Sequence, residues 1–209
     1  MTIRKILNNG VDDAQFRTKG YVKILMLNAP QVASVLADLS KLRPADGFVP
    51  DGSGYAANTY HCTFLDTDTA YKTSTFEVLS KHFYEGIERY LADYKIVSAN
   101  FYIKPPGQGD FPIHQNWPML DLNKTSVTIW CPLVDVHVNN GTLHVLPGSH
   151  KLLPHIEGPN SPAYFSDILP FVQKALKPCA ALAGEAIIFD GSLVHGSPPN
   201  NSDAPRIAV

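Results

Sequence analysis

The chain has 209 residues, 44% of them apolar, so it can bury one sizeable core, and a single domain over residues 1–209 is the natural count. A formal net charge of −2 gives no basic field for nucleic acid or a membrane surface, and no stretch approaches the roughly 20 consecutive apolar residues of a membrane span. The three cysteines are widely spaced and the N-terminus lacks a signal-peptide pattern, which predicts reduced thiols in a cytoplasmic protein.

The first part of the chain, residues 1–95, is mostly helical in pattern. Residues 20–27 alternate well enough for a strand, after which Asn28 can N-cap a helix that has Pro30 in its first turn. Spacings of i, i+3, i+4 and i+7 place one apolar stripe on that helix, formed by Val32, Val35, Leu36 and Leu39. A second helix is predicted over residues 74–94, because its apolar side chains share one face.

Residues 46–72, between the two helices, are rich in Gly, Asp, Thr and Tyr and have no clear period. A long irregular stretch inside a compact domain is uncommon and often functional. We therefore expect substrate contacts from this segment, with Asn58, Tyr60 and His61 as the candidates. Its hydroxyl, amide and acid groups suit a small polar substrate better than a long acyl chain.

From residue 96 onward the pattern changes to short strands separated by turns rich in Pro, Gly and Asn. The predicted strands cover residues 96–104, 111–117, 126–133, 142–146, 179–182, 185–190 and 206–209. Many short strands after helices predict a mainly β fold, a double-sheet jelly roll with flanking helices and a core in residues 96–209. The final residues read as a strand stopped partway, so we expect the native protein to continue beyond Val209.

Two histidines far apart in the chain each lie in a sequence typical of half a metal site. His114 lies in Pro-Ile-His-Gln-Asn-Trp, and the i, i+2 spacing puts its side chain on the same strand face as that of Asn116. His195 is the candidate for a further ligand from a distant strand, and Arg206 follows it by eleven residues. Non-haem iron is commonly held by two imidazoles and one carboxylate on one face, and arginine suits the far carboxylate of a 2-oxo diacid. The layout therefore predicts an iron(II) oxygenase that uses a 2-oxo acid.

Several short motifs together resemble the phytanoyl-CoA dioxygenase family of 2-oxoglutarate-dependent oxygenases. They are His-Gln-Asn at 114–116, Asn-Gly-Thr-Leu at 140–143, Pro-Gly-Ser-His at 147–150, His-Gly-Ser at 195–197, and Arg206. The resemblance covers about half the chain and implies a double-stranded β-helix, the cupin-like form of jelly roll. It also implies a dioxygenase that consumes O2 and splits 2-oxoglutarate to succinate and carbon dioxide while hydroxylating an unactivated C–H bond of a small-molecule substrate.

The same resemblance implies roles for individual residues. His114 and His195 would bind Fe(II), with position 116 as the third ligand. Arg206 and Ser197 would hold the far carboxylate of 2-oxoglutarate. Three further residues match positions that line the co-substrate pocket, namely Lys104, Gln115 and Trp130.

One position departs from the family pattern, because Asn116 stands where the family has an acid. In a first interpretation the neutral amide of Asn116 coordinates weakly, or a nearby acid such as Asp121 replaces it, and oxygenation proceeds. In a second, an exogenous anion fills the vacant position, as in related iron halogenases that accept chloride. In a third, the protein binds its ligands without turnover. The sequence leaves all three open.

Overall fold

The structure is a computed structural model that describes residues 5–44, 60–116, 126–151 and 166–209. Its α-helices are α1 (Gly10–Lys19), α2 (Ala29–Leu39), α3 (Thr69–Tyr90) and α4 (Leu169–Ala175). Its strands are β1 (Tyr21–Leu25), β2 (His61–Cys62), β3 (Tyr102–Lys104), β4 (Phe111–His114), β5 (Val127–Trp130), β6 (His144–Val145), β7 (Lys177–Pro178), β8 (Glu185–Asp190), β9 (His195–Ser197) and β10 (Arg206–Ala208). No helix in the described ranges is both long and apolar enough to cross a membrane.

The helix predicted after Asn28 is confirmed, and local capping explains where it begins. The Asn28 side chain accepts from the Gln31 backbone N–H, and the Gln31 side chain accepts from the Asn28 N–H, which together form a capping box. The next helix starts at Thr69 rather than residue 74, because Asp68 caps it by accepting from the N–H groups of two following residues. It ends at Tyr90 rather than residue 94.

That early end of α3 depends on a contact from far away in the chain. The side-chain amide of Asn8 donates to the backbone oxygens of Glu88, Arg89 and Leu91. These carbonyls would otherwise lack partners at the helix end. A cap supplied from some 80 residues away leaves no local signal, so helical periodicity alone overestimates the length of α3.

The strands form two layers, as a jelly roll requires. In the first layer β8 lies between β1 and β5 and is antiparallel to both. The chain just after β5 connects this sheet to β10, because Cys131 and Val209 exchange two backbone hydrogen bonds of 2.9 Å. Strand β10 pairs in turn with β3, and β3 pairs with β2. The second layer has the order β4-β9-β6-β7. The predicted jelly-roll architecture is confirmed.

Strand β8 shows how the layers are held together. Its side chains alternate between two faces, yet both faces are buried. Ala186 and Ile188 pack with the core formed by α2 and α3, whereas Ile187 and Phe189 pack between the two sheets. The helices therefore cover the outer face of the first sheet, and the space between the sheets remains for a second core and the candidate site.

Several strands differ from prediction in extent. The strand expected at residues 96–104 forms only at its last three residues. The strand expected at residues 179–182 is replaced by a strand at Lys177–Pro178, and Ala181 forms only an isolated bridge to Val136. Strands β2 and β9 were not predicted as separate elements. Segments of two or three residues are too short to show a period of two, so their pairing depends on neighbours distant in sequence.

Candidate metal and co-substrate site

The two histidines predicted to act together are direct partners between the sheets. The antiparallel ladder of β4 and β9 places His114 opposite His195, and their ring centroids are 4.2 Å apart. Directly opposed residues of an antiparallel pair project to the same face. Both histidines are buried, and Phe111 and Phe189 contact the rings of His114 and His195 at centroid distances of 4.7 Å and 4.6 Å.

Each imidazole is oriented by a backbone carbonyl two residues before it. Nδ1 of His114 donates to the Pro112 oxygen, and Nδ1 of His195 donates to the Leu193 oxygen, both at 2.8 Å. A carbonyl can only accept, so the hydrogen lies on Nδ1 and the lone pair of each neutral ring lies on Nε2. Burial lowers the pKa of His114 to about 4 and that of His195 well below its ordinary value, with the neighbouring His114 contributing to the latter. Two neutral rings that present Nε2 suit a divalent metal ion.

Asn116 lies beside this pair with its amide in a defined orientation. The side chain of Asn116 raises the pKa of the His114 imidazole, although burial lowers that pKa more strongly. Its nitrogen Nδ2 donates to Oγ1 of Thr128 at 2.6 Å. Because Nδ2 is directed to Thr128, Oδ1 is the end of the amide whose lone pairs suit a cation, alongside the Nε2 lone pairs of the two imidazoles. The donor set therefore fits a metal ion.

No acidic side chain completes the site in the described part of the chain. Within those residues, no group of three or more His, Cys, Asp or Glu side chains is placed to hold a metal ion. Asp121, the alternative acid, lies outside the described residues. Asn116 is the described side chain that supplies an oxygen next to the two imidazoles.

Two buried basic side chains face the same space between the sheets, where Lys104 reaches Ser197 on β9. Arg206 on β10 is the register partner of Lys104 on β3, and the two side chains are 3% and 1% exposed. The guanidinium carbon of Arg206 lies 5.6 Å from the ring centroid of Trp130, while its buried Nε has no hydrogen-bond partner among the described residues. Neither cation has a carboxylate within 4.0 Å in that part of the chain. Burying uncompensated charge is costly, so the arrangement suits an anionic ligand.

The charge states of these two groups differ. Burial lowers the pKa of Arg206 to about 10, opposed by Tyr102 and Tyr60, so the guanidinium stays charged at neutral pH. Burial and the charge on Arg206 lower the pKa of Lys104 to about 6, while Asp110 acts in the opposite direction. Arg206 is therefore the permanent cation of the pair.

Lys104 is also a strong link between β3 and the segment after His195. Its Nζ donates to the Ser197 backbone oxygen at 2.9 Å, to Ser197 Oγ at 2.6 Å and to the Pro198 oxygen at 2.9 Å. Ser197 Oγ in turn donates to the Gly141 oxygen at 2.8 Å. The two residues predicted to contact the co-substrate thus bond to each other and fix the position of the His195 strand.

Gln115 has a comparable bracing role. Its side chain is fully buried, and Nε2 donates to the Ser192 backbone oxygen at 2.6 Å. Asp190 accepts from both the N–H and the hydroxyl of Ser192. These bonds hold the turn between β8 and β9, which delivers His195 to the site. Among the described residues the Gln115 Oε1 has no partner.

The substrate candidates lie in different places. Tyr60 is buried with its ring centroid 5.7 Å from that of Phe111, which contacts His114, and burial raises its pKa while Arg206 lowers it. His61 pairs with Ile103 and bonds through Nε2 to the Tyr71 hydroxyl on α3 at 2.8 Å, which places its side chain toward the helices. Asn58 lies outside the described residues.

Sequence reasoning missed Thr128 and Tyr102. Thr128 precedes Trp130 by two residues on β5, so the two share a face, and this spacing could have identified it once Trp130 was assigned to the cavity. Tyr102 is likewise two residues from Lys104, and burial raises its pKa well above the ordinary value.

Comparison with known proteins identifies the family. The family model described as phytanoyl-CoA dioxygenase matches residues 16–208. Phytanoyl-CoA dioxygenase 1 of Oryza sativa subsp. japonica is 30% identical over 127 residues, which are 54% of this chain and 42% of that relative. A phytanoyl-CoA dioxygenase domain-containing protein 1 homolog of Dictyostelium discoideum is 35% identical over 109 residues, 48% of this chain and 39% of that relative. The matched segments span about two fifths of these relatives.

Solved structures share the fold over nearly the whole chain. SnoK, a non-heme alpha-ketoglutarate-dependent carbocyclase from nogalamycin biosynthesis, aligns with a TM-score of 0.72 and 22% identity, covering 96% of this chain and 81% of SnoK. The epimerase SnoN, in complex with Fe3+, alpha-ketoglutarate and nogalamycin RO, aligns with a TM-score of 0.63 and 25% identity, covering 93% of this chain and 78% of SnoN.

Proposed function

Because the chain belongs to the phytanoyl-CoA dioxygenase family, we propose that it is an Fe(II)- and 2-oxoglutarate-dependent oxygenase that uses O2 to hydroxylate an unactivated C–H bond of a small polar molecule. One chain of contacts carries this proposal. The carbonyl-oriented pair His114 and His195 is linked to Arg206 through Ser197, on the His195 strand, which bonds to Lys104, the register partner of Arg206. Arg206 is buried and has no carboxylate partner among the described residues. The SnoN complex with Fe3+ and alpha-ketoglutarate supports the choice of ligands.

The metal would be held on one side only. His114 and His195 would each donate through Nε2, and Asn116 through Oδ1, which leaves the opposite positions for co-substrate and oxygen. When bound, iron and 2-oxoglutarate together supply the oxidising chemistry, with release of succinate and carbon dioxide. The backbone bonds at Nδ1 keep both imidazoles in the tautomer that can ligate.

The co-substrate would be anchored by its far carboxylate. The guanidinium of Arg206 offers a planar set of donors for a bidentate bond, and Trp130 keeps that plane oriented by contact with its ring. Ser197 lies two residues after His195 on the same strand face, so its hydroxyl is a second candidate donor. Phe111 and Phe189 cover the imidazoles and exclude water from the metal face.

Anaerobic titration tests the proposal directly. Fe(II) added with 2-oxoglutarate should produce a weak visible charge-transfer band, and admission of air should then release succinate. The R206M variant should still bind the metal but require far more 2-oxoglutarate for the band. A correctly folded protein that gives neither band nor succinate would refute the assignment.

A second function is favoured by the amide at position 116. A neutral ligand makes a weaker metal site than a carboxylate, so the protein could bind metal and 2-oxoglutarate without turnover. In that case the band forms anaerobically and air releases no succinate, whereas N116D restores succinate release. A halogenase-like centre would instead show a band that shifts with chloride.

A further inference from the structure

We infer that Thr128 is the positioning residue that makes Asn116 usable as a metal ligand, an inference that rests on the metal site proposed above. The contact that carries it is the 2.6 Å hydrogen bond from Asn116 Nδ2 to Thr128 Oγ1. Thr128 does not touch the metal position itself in this assignment. It acts through the orientation of the neighbouring amide.

An amide needs such help because its two ends are chemically opposite. Oδ1 has lone pairs that can face a cation, whereas Nδ2 carries two hydrogens and repels one. The two orientations have nearly the same shape, so packing alone distinguishes them poorly. Thr128 Oγ1 distinguishes them by accepting from Nδ2, which directs Oδ1 away from Thr128 as the end that is available to a metal. A carboxylate has two equivalent oxygens and would not need this selection.

Asn116 and Thr128 are both held firmly enough for their hydrogen bond to fix the orientation of the amide. The Asn116 backbone N–H donates to the Gly191 oxygen at 2.9 Å, which fixes the chain after β4. Thr128 lies in the middle of β5 and is the register partner of Phe189 on β8. Its β-branched side chain has few rotamers, so Oγ1 is delivered at a defined point. The hydrogen bond therefore joins two anchored positions, one on β5 and one in the chain just after β4.

The hydrogen bond to Thr128 would let the amide of Asn116 serve as a metal ligand in a site that has no acidic ligand among the described residues. Groups that orient a metal ligand from behind commonly change metal affinity by 10- to 100-fold when removed. We assign that size of effect to Thr128 with asparagine at position 116. The effect should nearly disappear when position 116 carries a symmetric carboxylate.

A double-mutant cycle tests this, with Co(II) alone as the probe and binding followed anaerobically by calorimetry and by visible absorption. The proteins are the wild type, T128V, T128S, N116D and N116D/T128V. T128V should weaken Co(II) binding by about 10- to 100-fold, and T128S, which keeps the hydroxyl, should remain close to the wild type. In the N116D background, T128V should change affinity by less than about 3-fold, because a carboxylate has no wrong orientation.

Equal losses in the two backgrounds would overturn the inference, since Thr128 would then serve packing alone. A T128S variant that loses as much affinity as T128V would overturn it as well. Thermal unfolding and circular dichroism establish that each variant is folded. If neither the wild type nor N116D binds Co(II), the proposed metal site itself fails and the role of Thr128 fails with it. Binding by both proteins without coupling between the two positions overturns only the role of Thr128.

Discussion

Arg206 and Trp130 form a cation–aromatic contact at 5.6 Å, and the buried guanidinium has no carboxylate partner among the described residues. The contact orients the cation but neutralises none of its charge. Folding thus buries a charge whose compensation depends on a ligand. Stability and co-substrate affinity should therefore respond in opposite directions when this charge is removed.

R206M removes the charge and keeps most of the side-chain volume. In the ligand-free protein it should raise the free energy of unfolding by on the order of 1 kcal/mol, because no uncompensated cation is then buried. It should also reduce the rise in melting temperature that the wild type shows with Ni(II) and 2-oxoglutarate to the rise given by Ni(II) alone, which is the expected linkage for ligands that bind only the folded state. R206K is the matched control, since it retains the charge without the planar fork. A ligand-free R206M that is less stable than the wild type would contradict this account.

Lys104 should give stability a specific dependence on pH. Its pKa is about 6 in the folded protein and 10.5 in the reference state, so between these values the unfolded chain binds more protons. The free energy of unfolding should consequently rise with pH through that window, by roughly 1.4 kcal/mol per pH unit at most from this group. Below pH 6 Lys104 is protonated in both the folded and the unfolded protein, so burying its charge lowers the free energy of unfolding by the full amount. Above pH 10.5 Lys104 is neutral in both states, so this destabilisation is absent.

K104M isolates this contribution, because the other titrating groups are common to both proteins. Urea unfolding at pH 7 and pH 9 should show the wild type gaining stability relative to K104M at the higher pH. Absence of any difference would mean that the oxygens of Ser197 and Pro198 around Nζ keep the lysine charged throughout.

The sequence predicted the fold class correctly but not the lengths of several strands, whereas the roles of the site residues stay predictions. Spacing alone placed His114 and residue 116 on one face, since a period of two is a local property of a strand. The pairing of His114 with His195 depends on the β4–β9 ladder, which joins residues some 80 positions apart and has no local signal. The family resemblance supplied it. The orientation of the Asn116 amide by Thr128 depends on atoms brought together only by folding, so residue types could not reveal it.

Tyr60 and His61 were both predicted to contact the substrate, yet their side chains project in opposite directions. Tyr60 contacts Phe111, whereas His61 at the start of β2 bonds to Tyr71. Y60F and Y60A should therefore alter substrate turnover while leaving the anaerobic band with Fe(II) and 2-oxoglutarate intact. H61F should leave both intact and lower the free energy of unfolding by about 1–2 kcal/mol, because it removes the bond to Tyr71. A loss of the band in H61F at full folding would contradict the placement.

Gly109 and Gly107 form a natural pair for testing how tightly Lys104 is held. Both have positive φ, of 87° and 73°, so alanine strains the backbone at either position. A Cβ at Gly109 would come within 2.7 Å of Lys104 Cγ, whereas one at Gly107 would meet nothing within 4 Å.

G109A should therefore destabilise the protein by more than G107A, with the difference on the order of 1–2 kcal/mol for overpacking. Chemical unfolding of the two variants measures it. The same comparison in a K104A background should remove most of the difference, because the clashing stem is then absent. If the difference persists in K104A, the strain at Gly109 lies in the backbone and not in a clash with Lys104.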